Sequence, residues 1–78
     1  MLAIGRRHGN YTIFAVLPTS TPDVYVVAAA NPEMADPYVV WEANPDGTSF
    51  WWGHYKRDLT SALADLVERS DVLQLAGR

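Results

Sequence analysis

The 78 residues carry a net charge of −3, no cysteine and two histidines, which excludes disulfides and nearly excludes a zinc site. This length supports one domain, and a core so small hides only about 60% of the surface that the unfolded chain exposes. With 49% hydrophobic residues, 19% charged residues and three tryptophans, stability must come from dense packing or from association.

The acidic balance argues against a polyanionic partner, because nucleic-acid binders usually present a basic stripe that displaces counterions. Here the basic clusters are Arg6-Arg7 and Lys56-Arg57. The nine carboxylates are spread along the chain, so an acidic DNA mimic is no better supported. No apolar run of signal-peptide length follows the two arginines near the start, and none approaches the roughly 20 residues that span a bilayer. The expectation is a soluble, cytoplasmic protein with no membrane association.

The domain is expected to cover residues 1–78, as an arm (1–10), a sheet (11–55), a helix (58–70) and a tail (71–78). The arm contains two glycines and a basic pair, with a brief strand expected at Leu2–Ile4. Tyr11–Leu17 is aromatic and β-branched and stops at Pro18, as a strand does. Val24–Ala30 is the second strand, after a Thr-Ser-Thr-Pro-Asp turn, and Tyr38–Ala43 is the third. Ser49–Tyr55 is the fourth. Asn44-Pro45-Asp46-Gly47-Thr48 fits a type I turn followed by a left-handed glycine, a three-residue hairpin loop that pairs Asn44 with Thr48. This register sets Trp41 opposite Trp51 and Val40 opposite Trp52. One face then carries Val39, Trp41, Trp51, Gly53 and Tyr55, and the other Tyr38, Val40, Glu42, Phe50, Trp52 and His54.

Asp58 is a good N-cap, and Leu59, Ala62, Leu63, Leu66 and Val67 form one apolar stripe at i, i+3, i+4, i+7 and i+8. Thr60, Ser61, Asp65, Glu68 and Arg69 fall on the wet side. Val72, Leu73 and Leu75 are apolar enough to tuck back onto the domain. The fold class is therefore α+β: an antiparallel three- to four-stranded meander with one C-terminal amphipathic helix packed on one face. A lone helix covers one side of a sheet. The uncharged Trp41 face is assigned to the helix, leaving Tyr38, Val40, Glu42, Phe50, Trp52 and His54 as a partner-binding face.

Catalytic readings are weak. His54 and Glu42 share a face, but a polar rim on a half-buried strand explains both, and no motif places a nucleophile beside them. His8 beside Arg6 and Arg7 reads as part of a solvated arm. The Asn44–Gly47 segment lacks the alternating acidic ligands and distal glutamate of a calcium loop. The chain is read as a non-catalytic protein without cofactor or metal, binding a second copy or another protein. The alternative is a single-stranded nucleic-acid binder that stacks bases on the same aromatics, aided by Arg6, Arg7, Lys56 and Arg57.

The stretch YVVWEANPDGTSFWWGHYKRDLTSALADLVER resembles small uncharacterised proteins of actinobacterial phages and other mobile elements. In these, a strand–turn–strand ending in Trp-Gly-His-Tyr runs into an acidic helix rich in Leu and Ala. The resemblance covers the C-terminal half and implies an accessory protein that binds a host or phage protein, such as an inhibitor of a host defence enzyme. It transfers no catalytic residues.

Overall fold

Near-continuous apolar runs give the strands at Tyr11–Pro18, Tyr25–Ala30 and Tyr38–Ala43 apolar residues on both sides, and the computed structural model, which describes residues 2–71, covers both sides from within the chain. The elements are β1 (Arg7–His8), β2 (Tyr11–Pro18), β3 (Tyr25–Ala30), β4 (Tyr38–Ala43), β5 (Phe50–Lys56) and α1 (Leu59–Ser70). The class is α+β as expected, but the antiparallel sheet has five strands in sequence order rather than three or four. The additional strand comes from the arm. Gly9, at φ 61°, occupies the first turn position between the paired residues His8 and Tyr11, where a two-residue hairpin takes glycine. The strand expected at Leu2–Ile4 does not form. Instead Leu2 packs against the core, and the Gly5 amide donates to the Ile13 carbonyl at 2.7 Å.

The register of β4 and β5 differs from the expected one, for two local reasons. Asn44 Oδ1 accepts from the amides of both Thr48 and Ser49 at 3.0 Å, and the Asn44 amide donates to the Ser49 carbonyl. The loop therefore closes one residue later than expected, and Ala43 pairs with Phe50. A one-residue slip exchanges faces, so Trp51 lies opposite Glu42 and shares its side of the sheet. A bulge then sets Trp52 and Gly53 together against Trp41, and beyond it Val40 pairs with His54 and Val39 with Tyr55.

The helix lies on the face opposite to the one assigned from sequence. Ala62 and Leu66 pack on Val26, Ala28 and Val40, with Phe14, Leu17 and Tyr38 around them. The reverse face buries Tyr11, Ile13, Val27, Ala29, Val39 and Trp41. Its cover is the chain's own first strand and arm. The imidazole of His8 on β1 stacks on Phe50 of β5 at 3.8 Å and meets Trp41 edge-on at 5.0 Å. The two outer strands thus touch across the curled sheet. Bulges raise local twist, and β2 contributes a second one at Phe14.

Asp58 caps α1 by accepting from the Ser61 amide at 2.7 Å, as expected. At the other end Asp71 takes a left-handed conformation, φ 56°, and its carboxylate holds the Ser20 hydroxyl at 2.7 Å and the Ser20 amide at 2.9 Å. The buried Ser70 hydroxyl donates to the Pro18 carbonyl. Both clips tie the helix end to the β2–β3 connection. The stripe expected to face the sheet is split: Ala62 and Leu66 are buried, while Leu59, Leu63 and Val67 are exposed. Val72, Leu73 and Leu75 lie outside the described residues.

Two outcomes follow from this packing. Leu66→Ala should lower unfolding free energy by about 2–5 kcal/mol in urea titrations, whereas Leu63→Ala should cost well under about 1 kcal/mol. Equal losses would mean that the helix is rotated about its axis.

The exposed carboxylates at the turns and caps set the acid response. The Ser20 hydroxyl and amide lower the Asp71 pKa, the Ser61 amide and hydroxyl lower that of Asp58, and the Thr48 hydroxyl and amide lower that of Asp46. A carboxylate whose folded pKa is depressed contributes stability that is complete above its unfolded value and lost as pH falls through the folded one. The urea midpoint should hold steady down to about pH 5 and fall below about pH 4. Asp71→Asn should make that acid limb shallower, and an unchanged limb would remove Asp71 from the account.

Candidate functional site

Because β5 ends the sheet, one side of its backbone has no neighbouring strand among the described residues, and its residues from Trp52 to Tyr55 are exposed. The bulge shapes this edge. Gly53 is required there: a Cβ would stand 2.8 Å from Trp41 Cδ1 and Nε1, inside van der Waals contact. The residue before it bears the unusual backbone. Trp52 sits at φ 55°, in the left-handed region that costs a bulky L-residue roughly 1–2 kcal/mol, and its side chain is 70% exposed.

Arg69 holds the bulge in place from the helix. Its guanidinium donates to the Trp52 carbonyl at 2.7 Å and the Val40 carbonyl at 2.9 Å, and reaches Glu42 at 3.3 Å and Asp65 at 3.5 Å. Glu42 also accepts from the Trp51 indole N–H at 3.2 Å. Asp65 is bonded to His54 Nδ1 at 2.9 Å. One network therefore joins two strands and the helix behind the exposed edge. Asp65 and Arg69, placed on the wet side from sequence, have side chains only 12% and 10% exposed.

The six residues read from sequence as one open face do not share a face. Val40 is fully buried beneath α1, and Tyr38 is half-buried beside it. Glu42 is half-buried in the Arg69 network. Phe50 packs with the opposite cluster, on His8 and Trp41. Only Trp52 and His54 are exposed. The error had an electrostatic origin: Glu42 and His54 suggested a wet face, but the helix supplies Arg69 and Asp65 as their partners. That pairing had a signal, since a carboxylate and a histidine alternate with apolar residues opposite a helix carrying Asp and Arg at i, i+4.

Tyr55, 54% exposed, adds a second ring to the edge and approaches Tyr11 at 5.9 Å. Burial, then Tyr55 and Asp36, pushes the Tyr11 phenol above its ordinary pKa, and that phenol donates to the Asp36 carbonyl. Arg57 follows, 84% exposed and 3.6 Å from Asp36. His54 has the oriented-imidazole geometry of an acid–base dyad, but its bond is to Asp65, with no hydroxyl or amine bonded to it among the described residues. No three potential metal ligands converge among the described residues. An open hollow of about 280 Å³ lies between Ala30, Pro32, Pro37 and Tyr38, with no charged side chain in its walls among the described residues. No helix of the described residues is long and apolar enough to cross a membrane. No protein-family model, curated protein or solved structure matches the chain.

Removing the Arg69 cation should leave two carboxylates and two carbonyls short of a donor. Arg69→Ala is expected to cost about 3 kcal/mol in urea unfolding followed by tryptophan fluorescence. Arg69→Lys should recover only part of it, because an ammonium cannot span all four acceptors. Full recovery by lysine would reduce the network to simple charge pairing.

Proposed function

We propose that the chain is a non-catalytic binding protein whose contact edge is β5, centred on Trp52 with Tyr55 beside it, and that its partner is another protein. The observation that carries this reading is the conformation of Trp52. A glycine would be cheaper at φ 55°, yet the position holds a large aromatic side chain that is 70% exposed. Backbone strain that a protein retains without a packing reason points to function. Aromatic side chains at the centre of an interface are also the residues that supply most binding energy.

Single-stranded nucleic acid is the second reading, supported by Lys56 and Arg57 directly after Tyr55. It ranks behind because Asp58 directly follows Arg57 and Asp65 of the helix stands against His54 of β5. Salt separates the two readings. A complex with a thymidine oligonucleotide should weaken steeply as salt rises, whereas an apolar protein contact should change little.

Trp52→Gly tests the main reading through two opposed effects. Relief of the left-handed strain should raise unfolding free energy by about 1 kcal/mol. Partner binding should fall by at least about tenfold, the loss of one central aromatic anchor. A Trp52→Gly variant that is less stable than wild type would mean the indole is part of the fold, and the edge would lose its claim.

A further inference from the structure

An aspartate that precedes glycine carries its own electrophile and nucleophile, because no side chain shields the glycine nitrogen from the neighbouring Cγ. Asp46 is the aspartate followed by glycine in this chain; Asp36 precedes proline, and the others precede leucine or valine. Asn31 and Asn44 also precede proline, which has no N–H to attack with, and Asn10 precedes tyrosine. The loop between β4 and β5 engages both reacting groups. The exposed Asp46 carboxylate accepts from the Thr48 hydroxyl at 2.9 Å and from its amide at 3.3 Å through one oxygen. The Gly47 amide donates to the Asn44 carbonyl at 3.0 Å. Gly47 itself is buried, its carbonyl takes the Arg6 guanidinium at 2.8 Å, and Arg6 and the Leu2 backbone fill the space beside its Cα.

We propose that Asp46 is a site of spontaneous isomerisation to isoaspartate, gated by the contacts of Thr48 and Arg6 on its loop. The Gly47 nitrogen attacks Asp46 Cγ and forms a new N–C bond. The amide proton and the carboxyl hydroxyl leave together as water, and a five-membered succinimide remains. Water then adds to one ring carbonyl, and the N–C bond at that carbonyl breaks. Opening at Cγ restores aspartate. Opening at the main-chain carbonyl leaves a backbone that runs through Cβ and Cγ, which is isoaspartate. The sum consumes nothing, and water is the one co-reactant.

The gate follows from the same atoms. Ring closure removes the Gly47 N–H that Asn44 accepts and takes the Asp46 carboxyl away from Thr48, so the closed loop must first open. The Thr48 hydroxyl and amide also hold the Asp46 carboxyl below its ordinary pKa, and an ionised carboxyl has no hydroxyl to lose. Isoaspartate adds one atom to the main chain just before Gly47. In a loop clipped by Arg6 and closed by Asn44, that atom displaces the Gly47 carbonyl from the guanidinium. The modification therefore loosens the arm from the β4–β5 hairpin, and it stands independently of any partner at Trp52.

The test incubates the full chain at about pH 5 and physiological temperature, folded or unfolded in guanidinium chloride. Isoaspartate at residue 46 is read by electron-transfer fragmentation, and the succinimide by the loss of one water. The unfolded chain should accumulate isoaspartate there, and the folded chain at least about tenfold more slowly, as a reaction through local opening requires. Thr48→Ala and Arg6→Ala should each speed the folded chain at least about fivefold, the worth of one hydrogen bond, with circular dichroism unchanged. Asp46→Glu should abolish the signal at this position, and purified isoaspartate protein should unfold at lower urea than its parent. No isoaspartate at residue 46 in the unfolded chain overturns the site. Equal rates in folded and unfolded wild type overturn the gate, as do two folded variants that age like wild type. The wild-type comparison needs no variant, so the gate stays testable if either substitution fails to fold.

Discussion

The side chain of Arg69 fixes how the helix, the sheet and the exposed edge are arranged. It reaches two backbone carbonyls, on β4 and β5, and two carboxylates, one from the sheet and one from its own helix. A planar guanidinium with five donors can do this and an ammonium cannot. The Trp52 carbonyl belongs to the bulge and the Val40 carbonyl lies next to it on β4, where ladder bonding is interrupted, and Arg69 donates to both. The register beyond the bulge, the burial of Glu42 and the placing of His54 on Asp65 all depend on that arrangement.

The other side of the sheet is held by different physics. It is dry and aromatic, and its cover comes from β1 and the arm rather than from a second helix. Stacking of His8 on Phe50, with Trp41 and Tyr11 edge-on to each other, brings the first strand against the last. Such pairs add to area burial by about 0.5–1.5 kcal/mol each. That matters in a domain this small, where total stability is a few kcal/mol. Arg6 extends the closure: its guanidinium donates to the Gly47 carbonyl at 2.8 Å. Gly47, at φ 73°, leaves no room for a Cβ beside that group.

Much of this fold was legible in the sequence because periodicity and turn chemistry are local. The four main strands, the Asp58 cap and the helix end fall within about two residues of the expected places. The side of the sheet that the helix covers was not legible, for two reasons. Register depended on one extra loop residue, set by a side-chain bond from Asn44, and on a bulge whose left-handed residue is tryptophan rather than glycine. Polarity also misled: Glu42 and His54 marked a face as wet when the helix carried the charges to neutralise them. Of the site, Trp52 and His54 were legible as exposed, while Arg69 was not, since its role rests on contacts 17 to 29 residues away in sequence.

The same facts explain why a strained residue is tolerated at the edge. A left-handed tryptophan costs about as much as one good hydrogen bond to a charged group returns, and Arg69 supplies such a bond to the Trp52 carbonyl. The strain is thus offset inside the helix–sheet network, while the indole stands 70% exposed. Edge strands invite indiscriminate pairing, and bulges and nearby charges are the usual defences. On β5 the bulge interrupts the free backbone edge at the residue that displays the largest apolar surface. On the proposed reading of β5 as a contact edge, recognition rests on side chains more than on continued sheet pairing, which favours a partner with a pocket for an indole over one that merely offers an extended strand.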